Sequence, residues 1–237
     1  MEHAQTLSTP TQSLTRLSQA ISLLLHPLTI PLWAGILMLF GNTLMATMPL
    51  SIKWFFLAVL ALNTLVAPAL CIGLLRAFRL IPDLRLSEPR QRLIPILIVL
   101  LSYVSCLMML SDVMMAFLIR RFLFAAMGCV VLTLIVTPFW KISLHMTSIG
   151  GLLALLTALN ASGLGQFPYT LVLFILLAGL LGSARLWLGS HNLAQIAAGL
   201  YHRIAADLVR LNLWRSQPIN GPGPVERSAV TQRYRLL

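Results

Sequence analysis

The sequence is poor in charged residues and in cysteine, and each shortage excludes a class of protein. Only 10% of its 237 residues are charged, and only 6 are Asp or Glu. A soluble domain of this length needs far more charged surface. The 3 cysteines form no C-x-x-C pair, so they are interpreted as small core residues and not as a disulfide or metal set. No two acidic residues are placed for carboxylate catalysis, and no glycine-rich loop suits a nucleotide.

Long apolar runs make up most of the chain. Hydrophobic residues account for 58% of it, and the mean hydropathy is +0.88. A run of about 18 or more apolar residues can cross a bilayer, and it must then be helical because lipid offers its backbone no hydrogen-bond partner. We therefore predict an all-α, polytopic integral membrane helix bundle. Six runs support this prediction: residues 21–48, 54–78, 93–110, 122–139, 144–159 and 169–186.

A weaker apolar segment, residues 193–213, carries charges beside a helical apolar stripe. Arg203 and Asp207 are four residues apart and are expected to pair, which lowers the cost of burying them. The segment is either a seventh span or a helix in the membrane interface, and its length favours the span. The chain thus divides into a polar N-terminal tail (1–19), a transmembrane domain of six or seven helices (20–213) and a basic, disordered C-terminal tail (214–237).

Three polar clusters follow the second, fourth and sixth runs. They are the arginine-rich residues 85–92; Lys141, Ser143 and His145; and Arg185, His191 and Gln195. An even number of crossings separates each cluster from the next, so we expect all three on one face of the membrane. Arginine, serine and histidine side chains brought together there suit a phosphorylated or otherwise anionic group. Histidines with arginines favour nucleophilic and general-acid phosphoryl chemistry.

Local position supports the same chemistry. Ser143 and His145 stand at the start of the fifth helix, where free N–H groups and the helix dipole favour an anion. His191 and Gln195 are four residues apart and therefore share one helical face. His26, directly before Pro27, is interpreted as a packing residue at a proline kink in the first run.

The net charge of +11 indicates membrane orientation more than a nucleic acid. Most of the 17 Lys and Arg lie between or after the apolar runs, so we expect membrane lipids as partners and no nucleic acid. If residues 193–213 span, the tail arginines join Lys53, Arg120 and Arg121 on one side, and the polar clusters face the outside. If they do not span, the tail shares the face of the clusters, which is then cytoplasmic. We favour the external face.

The polar clusters resemble the three signature motifs of the type 2 phosphatidic acid phosphatase family, the lipid phosphate phosphatases. The first motif, K-x6-R-P, is similar to Arg85-x6-Arg92, with Pro95 two residues later than the pattern. The second, P-S-G-H, is similar to Ser143-Leu144-His145. The third, S-R-x5-H-x3-D, is similar to Ala184-Arg185-x5-His191-x3-Gln195. The resemblance covers about residues 20–205, and the His26-Pro27-Leu28 segment looks similar to a divergent bacterial branch of the family.

This resemblance implies a phosphatase in a bacterial inner membrane, with a lipid phosphate as substrate and with neither metal nor cofactor. His191 would be the nucleophile that takes the phosphoryl group as a phosphohistidine. His145 would protonate the leaving lipid alkoxide. The phosphate oxygens would be held by Arg85, Arg92, Ser143 and Arg185.

Gln195 departs from the family pattern, which has an Asp that orients and polarises the nucleophilic histidine. A Gln carbonyl can accept the imidazole N–H, but it cannot stabilise an imidazolium by charge. In a serine-protease triad, replacing the Asp by Asn lowers the rate about 10⁴-fold. The alternative function is therefore a catalytically impaired member that binds an anionic lipid or serves as a scaffold. A transporter has less support, because the charges cluster at one face and not at the midplane; no oligomeric state is predicted.

Overall fold

The computed structural model describes residues 8–78, 93–140 and 142–200. Within these ranges the regular structure is helical throughout, with no strand, which confirms the predicted all-α class there. Residues 193–200 begin a further helical segment at the edge of the described part. The helices in chain order are α1 (Ser8–Leu24), α2 (Ile30–Phe40), α3 (Leu50–Ala77), α4 (Leu93–Met109), α5 (Phe117–Val136), α6 (Leu144–Ser162) and α7 (Pro168–Trp187).

In the described part of the chain, four helices are long and apolar enough to cross a membrane: Leu50–Ala77, Met114–Val136, Leu144–Ser162 and Pro168–Trp187. Two shorter apolar helices, α2 and α4, pack among them. On the outside of α7, Leu173, Leu176 and Leu180 are 52%, 63% and 53% exposed. A continuous apolar surface of this kind favours association in water, whereas in a membrane it contacts lipid. Residues 201–213 of the predicted seventh span and the C-terminal tail lie outside the described residues.

The first predicted span, residues 21–48, is divided into two helices. α1 ends at Leu24 because Pro27 offers no N–H to continue the helix and disfavours helical backbone in the residue before it. α2 begins at Ile30, with Pro31 in its first turn, where a missing N–H leaves no bond unmade. The kink predicted from the prolines is therefore a complete break.

α1 gives the polar N-terminal segment a defined place. The segment is helical from Ser8, and α1 packs against α7. Trp187 Nε1 donates to Thr15 Oγ1 at 3.3 Å, which joins the two helices near the C-terminal end of α7. The middle of α1 is thereby held beside the end of α7.

α3 contains a π-helical stretch, Ala61–Val66, just before Pro68. The wider turn accommodates a proline that cannot donate to the helical ladder. Side chains satisfy carbonyls of the preceding turn: Asn63 Nδ2 donates to the Val59 carbonyl and Thr64 Oγ1 to the Leu60 carbonyl, both at 2.9 Å. α3 is therefore one continuous helix of 28 residues. The side chains of Asn63 and Thr64 both have hydrogen-bond acceptors within it.

α5 begins earlier than the sequence predicted. The predicted run was 122–139, but the helix starts at Phe117, so Arg120 and Arg121 lie inside its first turns and not in the preceding turn. Arg120 Nη1 donates to the Ser111 carbonyl in that turn. The long side chain lets an arginine sit on a helix while its charged end reaches a polar boundary.

The helices alternate in direction along the chain. Helices α2, α4 and α6 therefore begin at one end of the bundle, and helices α3, α5 and α7 end there. The other end is closed by the loop between α6 and α7. Gly163 ends α6 in the left-handed region at φ +69°, and Gly165 pairs with Thr43 after α2. The ends of α6 and α7 that carry the predicted polar clusters therefore lie together.

The helical segment 193–200 packs into the groove between α6 and α7. The Ser143 N–H donates to the main-chain carbonyl of Gln195 at 3.4 Å. A Cβ on Gly199 would lie 2.9 Å from the Ser143 carbonyl oxygen and 3.2 Å from Met146 Cβ. Small residues allow this close approach of backbones.

We predict that Gly199→Ala lowers stability, because the added methyl group meets a backbone carbonyl that cannot rotate away. An overpacked contact of this kind costs about 1–3 kcal/mol. Gly179→Ala is the matched control: Gly179 lies in α7 with nothing within 4 Å of its added Cβ. Thermal unfolding in detergent measures both. Equal melting temperatures for the two variants would contradict the close packing of segment 193–200.

Candidate functional site

A cavity of about 410 Å³ lies at the end of the bundle where α6 begins and α7 ends. Its volume is in the usual range for a small-molecule site. Its basic side chains come from the α1–α2 turn, the start of α6 and the residues at and just after the end of α7: His26, His145, Arg185 and His191. Helices α3, α4 and α5 contribute mainly apolar side chains, among them Ile72, Val99, Phe122 and Val130.

The end of α7 explains how Arg185 and His191 reach the same cavity. Arg185 lies in the last turn of the helix. Gly189 follows at φ +61°, a left-handed conformation that favours glycine. The Gly189 N–H donates to the Leu186 carbonyl at 2.9 Å and the Ser190 N–H to the Arg185 carbonyl at 3.2 Å, the two bonds of a Schellman motif. The R-x5-H spacing therefore spans a helix end, a glycine turn and the return of the chain.

The contact between His191 and Gln195 determines which ring nitrogen carries the proton. His191 Nδ1 lies 3.1 Å from Gln195 Oε1, and the same oxygen lies 3.3 Å from the backbone nitrogen of Asn192. Because a backbone N–H only donates, the Gln195 atom that faces it is the acceptor oxygen. His191 Nδ1 must then carry the proton in this contact, and Nε2 retains its lone pair. Gln195 performs the orienting part of the role that the sequence resemblance gives to Asp.

A main-chain carbonyl holds His145 in the same manner. His145 Nε2 lies 3.2 Å from the Ser22 carbonyl oxygen. α1 ends at Leu24, two residues after Ser22, so this carbonyl is among those that a helix end leaves without a helical N–H. Since a carbonyl only accepts, Nε2 of His145 carries a proton. Nδ1 is then the nitrogen that can take up or deliver a proton.

His26 joins the site although the sequence suggested only a packing role. Its ring meets the His145 ring edge-on, with centroids 5.3 Å apart and planes at 86°. Its Nδ1 accepts the Leu28 N–H at 3.3 Å. His26 lies in the turn between α1 and α2, where burial and the positive charge of Arg185 lower its pKa. The sequence could have indicated a place for His26 at the site. The start of the first run lies two crossings from the first polar cluster, and segments an even number of crossings apart lie on the same face of the membrane.

Ser143 is brought to the site but not into the cavity. It is fully buried, precedes α6 as its N-cap, and makes no side-chain cap. Its hydroxyl has no hydrogen-bond partner among the described residues. Thr147 and Ser148, one turn further along α6, line the cavity instead, and Ser148 Oγ donates to the His145 carbonyl at 2.9 Å. No pattern in the sequence had distinguished Thr147 and Ser148 from the other polar residues.

The first polar cluster, with Arg85 and Arg92, lies outside the described residues, as does Lys141. The chain resumes at Leu93, and Pro95 and Ile96 in the first turn of α4 line the cavity. Within the described ranges, no group of three or more His, Cys, Asp and Glu is arranged to hold a metal ion.

The described part of the cavity lining contains one guanidinium, three imidazoles and no carboxylate. Arg185 is charged at any physiological pH, and neutral imidazoles each offer one N–H. Donors without a competing carboxylate suit a tetrahedral oxyanion. The unprotonated Nε2 of His191 adds a nucleophile to the same cavity.

We predict that Gly189→Ala weakens binding of orthovanadate, a tetrahedral oxyanion, by several-fold. Alanine is strained in the left-handed region by about 1–2 kcal/mol, so the turn shifts and His191 moves relative to Arg185. Gly163→Ala is the matched control, because Gly163 has a similar φ, also ends a helix and also has open space around its Cβ, but lies at the opposite end of the bundle. Both variants should lose similar stability. Equal orthovanadate Kd values would contradict the role of the Gly189 turn.

Comparisons of the chain with protein-family models, with curated proteins and with solved structures find no match. The function is therefore inferred from the chemistry of the cavity together with the sequence motifs.

Proposed function

We propose that the chain is a membrane-embedded lipid phosphate phosphatase, which hydrolyses a phosphomonoester or diphosphate of a lipid through a phosphohistidine intermediate. The observation that supports it best is the meeting of His145, Arg185 and His191 in one cavity whose other walls are mainly apolar. A lipid phosphate has a polar part and an apolar part that match the two parts of the cavity. Its headgroup would lie at the basic residues and its hydrocarbon chain against α3, α4 and α5. A water-soluble phosphate ester would leave the apolar walls unused.

The first step transfers the phosphoryl group to the enzyme. His191 Nε2 attacks phosphorus with its lone pair, the N–P bond forms, and the bond between phosphorus and the lipid oxygen breaks. The negative charge of the bound headgroup favours the protonated form of His145, which takes up a second proton at Nδ1 when the substrate binds and then gives it to the departing alkoxide. The Nε2–H of His145 stays hydrogen-bonded to the main-chain carbonyl of Ser22. The Nδ1–H of His191 stays hydrogen-bonded to Oε1 of the Gln195 side chain. The lipid alcohol leaves neutral.

The second step returns the enzyme to its starting state. His145, now unprotonated at Nδ1, takes a proton from a water molecule as its oxygen bonds to phosphorus. The N–P bond breaks, the electron pair returns to His191 Nε2, and inorganic phosphate is released. The two nitrogens that react, His191 Nε2 and His145 Nδ1, are not the ones that bond to Gln195 and Ser22.

Positive charge stabilises the phosphoryl oxygens as the transition state develops. Arg185 supplies it from the end of α7. We expect Arg85 and Arg92 to add to it, because Arg92 directly precedes the start of α4 and Pro95 of that helix lines the cavity. We also propose that Ser143, whose buried hydroxyl has no partner within the described ranges, turns to the phosphate when it binds.

The proposed setting is the inner membrane of a bacterium, with six or seven spans. Four of the described helices are long enough to cross by themselves. We propose that the shorter apolar helices α2 and α4, with the residues that flank them, make two further crossings, and that residues 193–213 make a seventh. With seven, the arginine-rich tail joins Lys53, Arg120 and Arg121 on the cytoplasmic side, and the cavity faces the periplasm.

We predict that His191→Ala lowers phosphate release from lipid phosphates by about a thousand-fold or more, because it removes the nucleophile. The assay uses detergent-purified protein with EDTA and a panel of phosphatidate, phosphatidylglycerophosphate and polyprenyl diphosphate. Ser183→Ala, an exposed position on α7 two residues before Arg185, is the control and should keep full activity. Equal release by wild type and His191→Ala would exclude the proposed mechanism, and loss of release in EDTA would indicate a metal-dependent one.

We predict that Gln195→Glu raises the rate of phosphate release by about ten-fold or more. Glutamate keeps the side-chain length, so its oxygen stays near His191 Nδ1, and its charge stabilises the imidazolium that forms as the ring takes the phosphoryl group. Gln195→Leu is the matched control and should lower the rate, because it removes the acceptor. The measurement is the turnover rate at saturating lipid phosphate.

Gln195 also favours one second candidate, a non-catalytic protein that binds an anionic lipid. It orients His191 without contributing charge. Binding of a lipid phosphate without release by wild type, with release gained in Gln195→Glu, would support this candidate. Release by wild type that Gln195→Leu abolishes would exclude it.

A further inference from the structure

We propose that His26 is a further ligand-binding residue, which donates its Nε2–H to the phosphoryl group held by Arg185 and His191. The inference rests on the proposed function for its substrate, and it goes beyond the sequence motifs, which assign no role to this histidine. His26 reaches the site from the other end of the chain, in the turn between α1 and α2. It lines the same cavity as His145, Arg185 and His191.

The hydrogen bond to the backbone identifies the donor atom. Nδ1 of His26 faces the Leu28 N–H at 3.3 Å, and a backbone N–H only donates, so Nδ1 is unprotonated. A neutral ring then carries its proton on Nε2. Among the described residues, no hydrogen-bond partner faces this Nε2, and the side chain lines the cavity. An N–H that points into a cavity lined by Arg185 is placed to meet an anion.

Packing keeps this donor in place. The ring of His26 stands edge-on to that of His145, with centroids 5.3 Å apart. Pro27 fixes the backbone directly after it, and Thr29 Oγ1 donates to the His26 carbonyl at 2.8 Å. The turn that holds His26 therefore keeps the ring fixed before a ligand arrives, so that little ordering remains to oppose binding.

Two substitutions separate donation from packing. His26→Phe keeps a ring against His145 and removes both nitrogens. His26→Gln gives up the ring but keeps an N–H near the position of Nε2. The control is Tyr169→Phe, which also removes one polar group from an aromatic side chain, at an exposed position at the opposite end of the bundle.

The experiment measures the orthovanadate Kd of detergent-purified protein, together with KM and kcat for a lipid phosphate. A hydrogen bond to a charged group is worth enough that His26→Phe should raise the orthovanadate Kd and the KM by about ten-fold. His26→Gln should stay within about three-fold of wild type, and Tyr169→Phe should not change. Melting temperatures of all variants check that each is folded.

The outcomes distinguish this inference from the proposed function. An unchanged orthovanadate Kd in folded His26→Phe would overturn the role of His26, even where lipid phosphate is hydrolysed. A reduced kcat with unchanged Kd would also overturn it, because His26 would then act only through His145. Orthovanadate binding that His26→Phe weakens, in a protein that releases no phosphate, would support His26 and exclude the phosphatase. No binding and no release by wild type would overturn both.

Discussion

In a bilayer no water is available to backbone N–H and C=O groups, so each helix satisfies its own, and helix ends become the places where polar groups are free to meet. Every basic residue of the cavity follows this constraint. His145 lies in the first turn of α6, Arg185 in the last turn of α7, His191 just beyond it, and His26 in the turn between α1 and α2. Because the helices alternate in direction, these ends coincide. The cavity is therefore a consequence of where the helices stop, while apolar side chains of α3, α4 and α5 supply most of its walls.

The same constraint explains how the histidines are oriented. In the described part of the site, each of the three imidazoles has a hydrogen bond that identifies its protonated nitrogen. The partner is the main-chain carbonyl of Ser22 for His145 and the main-chain N–H of Leu28 for His26. For His191 it is the side-chain oxygen of Gln195. Two of these partners are main-chain groups that a helix end leaves free, and the third is fixed by the Asn192 N–H. Backbone groups have fixed donor or acceptor character, so they set a tautomer without requiring a buried charge. A site of this kind can be assembled next to lipid from few charged residues.

The sequence predicted the helical class and the meeting of Arg185, His145 and His191, because both depend on simple regularities: apolar run length and the parity of crossings. It did not predict that Pro27 breaks the first run completely, since a proline inside an apolar run is compatible with a kinked helix as well as with two helices. It placed Arg120 and Arg121 in a turn because charges usually mark a boundary, whereas their long side chains let α5 start earlier. His26 was taken for a packing residue because its partner His145 lies more than a hundred residues away. Their contact depends on the packing of α1 beside α7 and of α2 beside α6.

Gln195 is the residue on which the balance between binding and turnover depends. The described lining of the cavity has no carboxylate, so a bound phosphate would be the main negative charge near Arg185. An acidic residue at position 195 would strengthen His191 as a nucleophile by stabilising the imidazolium, but it would also place a second negative charge next to the substrate. Glutamine orients His191 through its Oε1 and adds no negative charge to offset the positive charge of Arg185. Under the proposed function, the arrangement therefore favours tight binding of the anionic headgroup over a fast chemical step, and we expect a slow enzyme with high affinity for its lipid.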